Sequence, residues 1–236
     1  PIYSVFSFRQ LMRRVAAGEV ISRSEIYKST IIGLWALMTI GLAIWIATGR
    51  SWTDLGFGWN VDTGFLIGLA LTIIAIVILV WQFGRLDGSS DETRESLRGQ
   101  LGKLEIIIPR NANELGQFYA VSATAGIVEE TLWRGYMFWY LGHVMPLWAA
   151  AVVTSVAFGV GHIYQGAANV PRVVLLGGVF AGLYLLTGSV WLPMLLHAVL
   201  DAVQGRAFYR VFSSTEGAHA DRRKQREHPP SDRATP

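Results

Sequence analysis

The chain has 236 residues, enough for one domain, and 52% of them are hydrophobic while only 16% are charged. With a mean hydropathy of +0.37 it is too apolar for an ordinary soluble domain, and the pattern reads as a polytopic membrane protein. The net charge of +3 does not point to nucleic acid, because Lys and Arg lie in segments flanking the apolar runs and form no interleaved basic and aromatic surface. With no cysteine, a disulfide framework, a thiol nucleophile and Cys-ligated zinc are all excluded, so any chemistry must come from His, carboxylates, hydroxyls or backbone.

Residues 1–28 form a basic arm carrying Arg9, Arg13, Arg14, Arg23 and Lys28. The first uncharged run, 29–49, is a span and not a signal peptide, since it is longer than an h-region and no small-residue cleavage site follows. A second span covers 63–84. The connection before it, 50–62, has one basic residue, whereas the next, 85–114, has Arg85, Arg94, Arg98, Lys103 and Arg110; this asymmetry places the N-terminus in the cytoplasm. A third long helix is predicted from about 111 to 141, with Gly142 and Pro146 marking the turn. A fourth runs from 147 to about 166, a fifth from about 171 to 186, and a sixth from about 189 to 205, with Thr187 and Gly188 as the tight link between the last two.

Six spans return the C-terminus to the cytoplasm, in agreement with Arg206, Arg210 and the run Arg222, Arg223, Lys224, Arg226. The expected fold is therefore an all-α, polytopic membrane helix bundle of about six transmembrane helices, with both termini cytoplasmic. Its expected organisation is an arm (1–28), a transmembrane domain (29–212, with its motifs in 109–205) and a disordered cytoplasmic tail (213–236), polar and ending in Pro-rich sequence. Trp59, Trp81, Trp148 and Trp191 fall near span ends, as an interfacial belt requires. Gly177, Gly178 and Gly182 read as a packing stripe that allows close helix approach. His143, His219 and His228 read as solvated.

Ionisable groups inside membrane helices cost roughly 3 kcal/mol each on insertion scales, so each needs a partner or a task. Here they fall into three patterns. In Glu129-Glu130-Thr-Leu-Trp-Arg134, Glu130 and Arg134 share a face and neutralise each other, while Glu129 points about 100° away with no local counterion. Phe158 and His162 stand four apart late in the fourth span, and His197 and Asp201 four apart in the sixth. Counted from the outer helix ends, Glu129, His162 and Asp201 reach comparable depths in the cytoplasmic half, with His197 somewhat shallower.

Together these residues resemble the CPBP intramembrane proteases, the CAAX-prenyl proteases and bacteriocin-processing enzymes also called the ABI family. The family pattern of EExxxR, FxxxH and HxxxN or HxxxD on successive helices is similar to Glu129-Glu130-Arg134, Phe158-His162 and His197-Asp201, and Thr53 to Trp59 looks like the family's connection before the second span. Asp201 stands where the prenyl-protein proteases carry Asn, which suits the wider bacterial branch. The resemblance implies a helical bundle with a conical cavity open to cytoplasm and membrane, an intramembrane endopeptidase acting on membrane-associated or prenylated proteins or peptides, and a prokaryotic plasma or inner membrane location.

Peptide hydrolysis without Ser or Cys needs an activated water and a group to hold the oxyanion. Glu129 fits the base, His162 positions the water, and His197 donates to the carbonyl oxygen, with Asp201 fixing the His197 tautomer or assisting proton movement. Glu130, Arg134 and Phe158 support the site. Two His and one or two carboxylates are also the ligand set of a hydrolytic zinc centre, in which case Glu129, His162 and His197 would hold Zn2+; the residues favour metal-independent water activation without separating the two. Two rivals from other classes remain: a non-catalytic scaffold or peptide-binding regulator, and a proton or ion path, since Glu, His and Asp through a bundle also serve pumps. The expected partners are a membrane-associated substrate and the bilayer, with no nucleic acid.

Overall fold

The structure, a computed structural model, describes residues 2–85 and 90–227. Among them there is no strand, and the chain is helical nearly throughout. The helices start where short polar side chains take over the first free amides. Ser22 accepts from the Glu25 amide to begin α2 (Arg23–Ala47), and Asp62 accepts from the Phe65 amide at 2.8 Å to begin α3 (Thr63–Gly84). Asn111 accepts from the Glu114 amide at the head of α5 (Ala112–Glu130), while the Glu114 carboxylate reaches back to the Arg110 amide at 2.7 Å. Pro171 sits in the first turn of α8 (Val170–Thr187), where a missing amide costs nothing, and Gly188 ends it with φ +62°.

The basic arm is itself helical, as α1 (Ile2–Ala16), and the loop after α3 holds α4 (Asp91–Leu101). After Glu130 the backbone widens into a π-helical segment, Thr131–Met137, and closes as α6 (Phe138–Gly142). The fourth apolar helix, α7 (Leu147–Gly161), stops five residues short of the predicted end: His162 is its C-cap, and a 3-10 turn, Ile163–Gln165, follows up to Gly166 at φ +106°. The closely spaced Gly159, Gly161 and Gly166 weaken helix propagation here.

The last helix, α9 (Trp191–Glu227), keeps a helical backbone well into the segment whose polarity predicts a disordered tail. Ala, Arg, Lys, Gln and Glu dominate that stretch and favour helix locally until Pro229 and Pro230. Residues 228–236, with His228, lie outside the described residues.

Three helices are long and apolar enough to cross a membrane, Arg23–Ala47, Thr63–Gly84 and Ala167–Thr187, and Leu147–Gly161 is a shorter apolar helix. Their outward faces carry large exposed apolar side chains, among them Ile40, Ile44, Leu71, Ile74, Val77, Ile78, Val152 and Leu175. A soluble monomer does not expose apolar surface on this scale, whereas lipid covers it at no cost.

Helix α5 lies between α2 and α9, α7 packs on α8, and α3 closes against α8 and α9. Leu34 and Met38 of α2 meet Ala125 and Val128 of α5 in one apolar cluster; Phe65 of α3, Phe180 and Leu183 of α8, and Leu192, Leu196 and Leu200 of α9 make another. Small residues set the closest crossings. A Cβ at Gly126 would lie 2.7 Å from the Met194 carbonyl oxygen and 2.9 Å from the Ala198 amide nitrogen, so α5 and α9 meet backbone to backbone. Of the predicted glycine stripe only Gly177 makes such a contact, against Ser155 and Phe158; Gly178 and Gly182 face open space, because the helix turns them away from α7.

This contrast predicts a stability pattern. Gly126→Val is expected to lower stability by at least the roughly 1–3 kcal/mol of an overpacked core, because the obstructing atoms are backbone. Gly178→Ala is expected to be neutral or slightly stabilising. Unfolding of the two variants by denaturant titration in detergent checks this, and equal losses would refute the crossing described here.

Candidate active site

The predicted site residues converge between the π-helical segment, α7, α8 and α9. Glu130 and Arg134 are completely buried, and Glu129 and His197 nearly so. Arg134 Nη1 donates to Glu130 Oε1 at 2.9 Å, and Arg134 Nη2 donates to the Gly177 carbonyl at 2.9 Å. The guanidinium lies over the Phe158 ring at 4.9 Å and the Phe180 ring at 5.4 Å, a favourable place for a buried cation.

The same Glu130 Oε1 accepts a hydrogen bond from His197 Nδ1 at 2.8 Å. One carboxylate therefore binds a cation on its own chain segment and an imidazole on α9, while the cation binds α8. The His197 ring stacks on Phe180, 5.1 Å between centroids and 14° between planes, and meets Phe158 edge-on at 6.0 Å. His197 Nε2 stands 3.7 Å from Asp201 Oδ2, beyond direct hydrogen-bond range. This corrects the expected pairing: Glu130, not Asp201, orients the His197 ring. Asp201 is the most open of these carboxylates, its side chain 36% exposed.

On the other side of Phe158, His162 donates Nδ1–H to the Phe158 carbonyl at 2.7 Å, and its ring lies 4.5 Å from the Phe158 ring. With Nδ1 carrying the proton of the neutral ring, Nε2 is an acceptor. It faces Glu129 Oε2 at 3.9 Å, and that oxygen, fully buried, has no hydrogen-bond partner among the described residues. Two acceptors 3.9 Å apart cannot bond each other, but one water donating a hydrogen to each spans such a gap.

Sequence reasoning brought the six charged and imidazole residues and Phe158 to one place, and the structure puts them there. It missed Phe180, whose ring carries His197; the Gly177 carbonyl, whose helix was read for packing alone; and the π-helical widening, a feature that recurs at functional sites and that motif spacing does not reveal. The loop Trp52–Leu55 was noted only as a resemblance. It packs on this segment, with Leu55 covering Gly135 so closely that a Cβ there would lie 2.8 Å from the Leu55 carbonyl oxygen. His143 is exposed and bonds the Trp139 carbonyl, away from the cluster.

Among the described residues no group of three His, Asp or Glu stands close enough together to hold a metal ion. The bonds of His162 Nδ1 to a carbonyl and of His197 Nδ1 to Glu130 leave each Nε2 unbonded, as a metal ligand would also require.

Residues 111–203, which span all of these groups, match the family described as type II CAAX prenyl endopeptidase Rce1-like. No curated protein and no solved structure matches the chain. The match begins at the Asn111 cap and ends just after Asp201, enclosing the three motifs in their order. Through this segment the chain is similar to the CPBP family of intramembrane proteases.

Proposed function

We propose that this chain is a multi-pass endopeptidase that hydrolyses peptide bonds of membrane-associated or prenylated proteins and peptides, with Glu129 and His162 activating water. The observation that carries the reading is the pair of acceptors, Glu129 Oε2 and His162 Nε2, 3.9 Å apart with the carboxylate oxygen buried and unpartnered. A water bridging them has its lone pairs directed away from both, toward an incoming carbonyl carbon. As its oxygen attacks, one proton passes to Glu129; the tetrahedral intermediate collapses by breaking the C–N bond, and Glu129 returns the proton to the departing amine. His197, held at Nδ1 by Glu130, offers Nε2 to the developing oxyanion when the ring is doubly protonated, with Glu130 and Asp201 flanking that cation. Arg134 and the Phe158 and Phe180 rings keep this constellation rigid.

The topology that goes with this reading has six crossings, with α5 to α6 and α9 completing the apolar ones, and both termini on the cytoplasmic side, an orientation that rests on the flanking Lys and Arg. Residence in a prokaryotic plasma membrane rests on the family resemblance and the small size of the chain.

The test is cleavage of a membrane-tethered peptide library by purified protein in liposomes, comparing wild type with folded Glu129→Ala and His162→Ala, with and without chelator. The expected result is cleavage by wild type that both substitutions abolish and chelator leaves intact. Loss with chelator, restored by zinc, would replace the water mechanism with a metal one. No cleavage by wild type across a broad library would overturn the proteolytic reading in favour of a scaffold.

A further inference from the structure

His162 is the one imidazole of the site that is not embedded in a helix. It caps α7 at φ −98° and ψ 12° and leads into the 3-10 turn Ile163–Gln165, so regular helix geometry does not set its ring. One nitrogen is tied to the Phe158 carbonyl and one face of the ring to Phe158, the other nitrogen faces Glu129, and the Tyr164 ring lies 5.8 Å away at 31°.

Tyr164 is itself held from outside the motif segment. Phe8 of α1 lies 5.3 Å from it at 42°, and Gln165 Nε2 donates to its hydroxyl at 3.4 Å. Helix α1 packs on this turn and on α7, and it presents Phe8 inward while Arg9, Arg13 and Arg14 are exposed. Three rings, from α1 to the turn to the site, thus form one line: Phe8, Tyr164, His162. Ring contacts of this kind favour particular mutual orientations and so bias a turn side chain toward one rotamer.

We infer that Tyr164 is a positioning residue that sets the orientation of the His162 ring, and that Phe8 clamps it there, which makes α1 part of the functional unit and not a solvated arm. The kinetic consequence rests on the hydrolytic reading above; the orientation of His162 does not. Any change that lifts α1 from the turn releases the imidazole that faces Glu129.

The experiment measures both. Full-length protein labelled with 13C-histidine in detergent is compared by NMR as wild type, Phe8→Leu, Tyr164→Leu, Tyr164→Phe and Trp81→Leu, the His162 signal being assigned by its loss in His162→Gln. Cleavage of the tethered peptide is followed on the same samples. The His162 ring signal is expected to shift and broaden in Phe8→Leu and Tyr164→Leu, and to stay near its wild-type position in Tyr164→Phe, which keeps the ring, and in Trp81→Leu, an exposed ring that carries Arg85. With it kcat is expected to fall about tenfold, as a misplaced catalytic group implies, with KM little changed and with rescue by Tyr164→Phe.

An unmoved His162 signal in both leucine variants overturns the inference whether or not the protein cleaves peptide. A shifted signal with unchanged kcat overturns the positioning role while sparing the contact. A signal shifted in the leucine variants, with a wild type that cleaves nothing, retains the clamp and removes the hydrolytic reading instead.

Discussion

Replacing Glu129 by Gln is expected to reduce kcat by about 10²- to 10⁴-fold, the range of a general base, without measurable loss of stability. Both halves of this expectation follow from one fact. Glu129 Oε2 makes no hydrogen bond to the described protein, and its nearest charged or ionisable partner, His162 Nε2, is 3.9 Å away. Neutralising the carboxylate therefore removes no hydrogen bond at that oxygen to the described protein, and the amide is almost the same size and shape, so the packing around it does not resist the change. It does remove the carboxylate that, on the proposed mechanism, takes the proton of a water bridging it to His162. Cleavage kinetics together with denaturant unfolding in detergent decide the matter: retained activity in a folded Glu129→Gln protein would rule Glu129 out as the base, and a large loss of stability would show that the side chain is instead part of the packing network.

Glu130, its neighbour in sequence, is expected to behave in the opposite way. Glu130→Ala leaves Arg134 buried without its hydrogen-bonded carboxylate and frees His197 Nδ1. Breaking a buried pair by deleting one member typically costs about 3–5 kcal/mol, so this variant is expected to unfold much earlier than wild type. Arg134→Ala should cost a similar amount, because it strands Glu130 and the Gly177 carbonyl. The double variant is expected to lose less than the sum of the two, by about 0.5–3 kcal/mol of coupling, since the second substitution removes the charge the first left unpaired. Additive losses would mean that the pair is not a unit. A Glu130→Ala protein as stable as wild type would contradict the buried network itself. The two adjacent carboxylates thus separate cleanly, one moving rate and the other moving stability.

That separation was partly readable beforehand. Glu130 and Arg134 are four residues apart, and a helix places such residues side by side, so their pairing is a local property. The same locality explains the other features that could be read directly. The second span begins and ends where the apolar run does, at Thr63 and Gly84; Asn111 starts the motif helix because its side chain takes the Glu114 amide; Gly188 ends α8 because a left-handed turn needs no Cβ there. Phe158 and His162, like His197 and Asp201, share a helix face by spacing alone.

The pairing of His197 was not readable in this way. Its local partner by spacing is Asp201, yet its hydrogen bond goes to Glu130, 67 positions away. What decides this is the rotation of α9 against α5, set by the contact of Gly126 with Met194 and Ala198, and no periodicity within either helix encodes it. Glycines four apart give a stripe, but only packing reveals that Gly177 lies against α7 while Gly178 and Gly182 do not. The arm was legible as basic and not as a helix whose Phe8 reaches Tyr164.

Composition, hydrophobic run length and i to i+4 spacing thus determined an all-helical membrane protein and the set of residues at its polar centre, because those properties depend on the backbone period and on the cost of burying charge. Only the tertiary structure decided which carboxylate holds which imidazole, that Phe180 and the Gly177 carbonyl complete the site, and that α1 is seated at its edge. Those choices are made between helices distant in sequence, where close packing and satisfaction of buried polar groups act together.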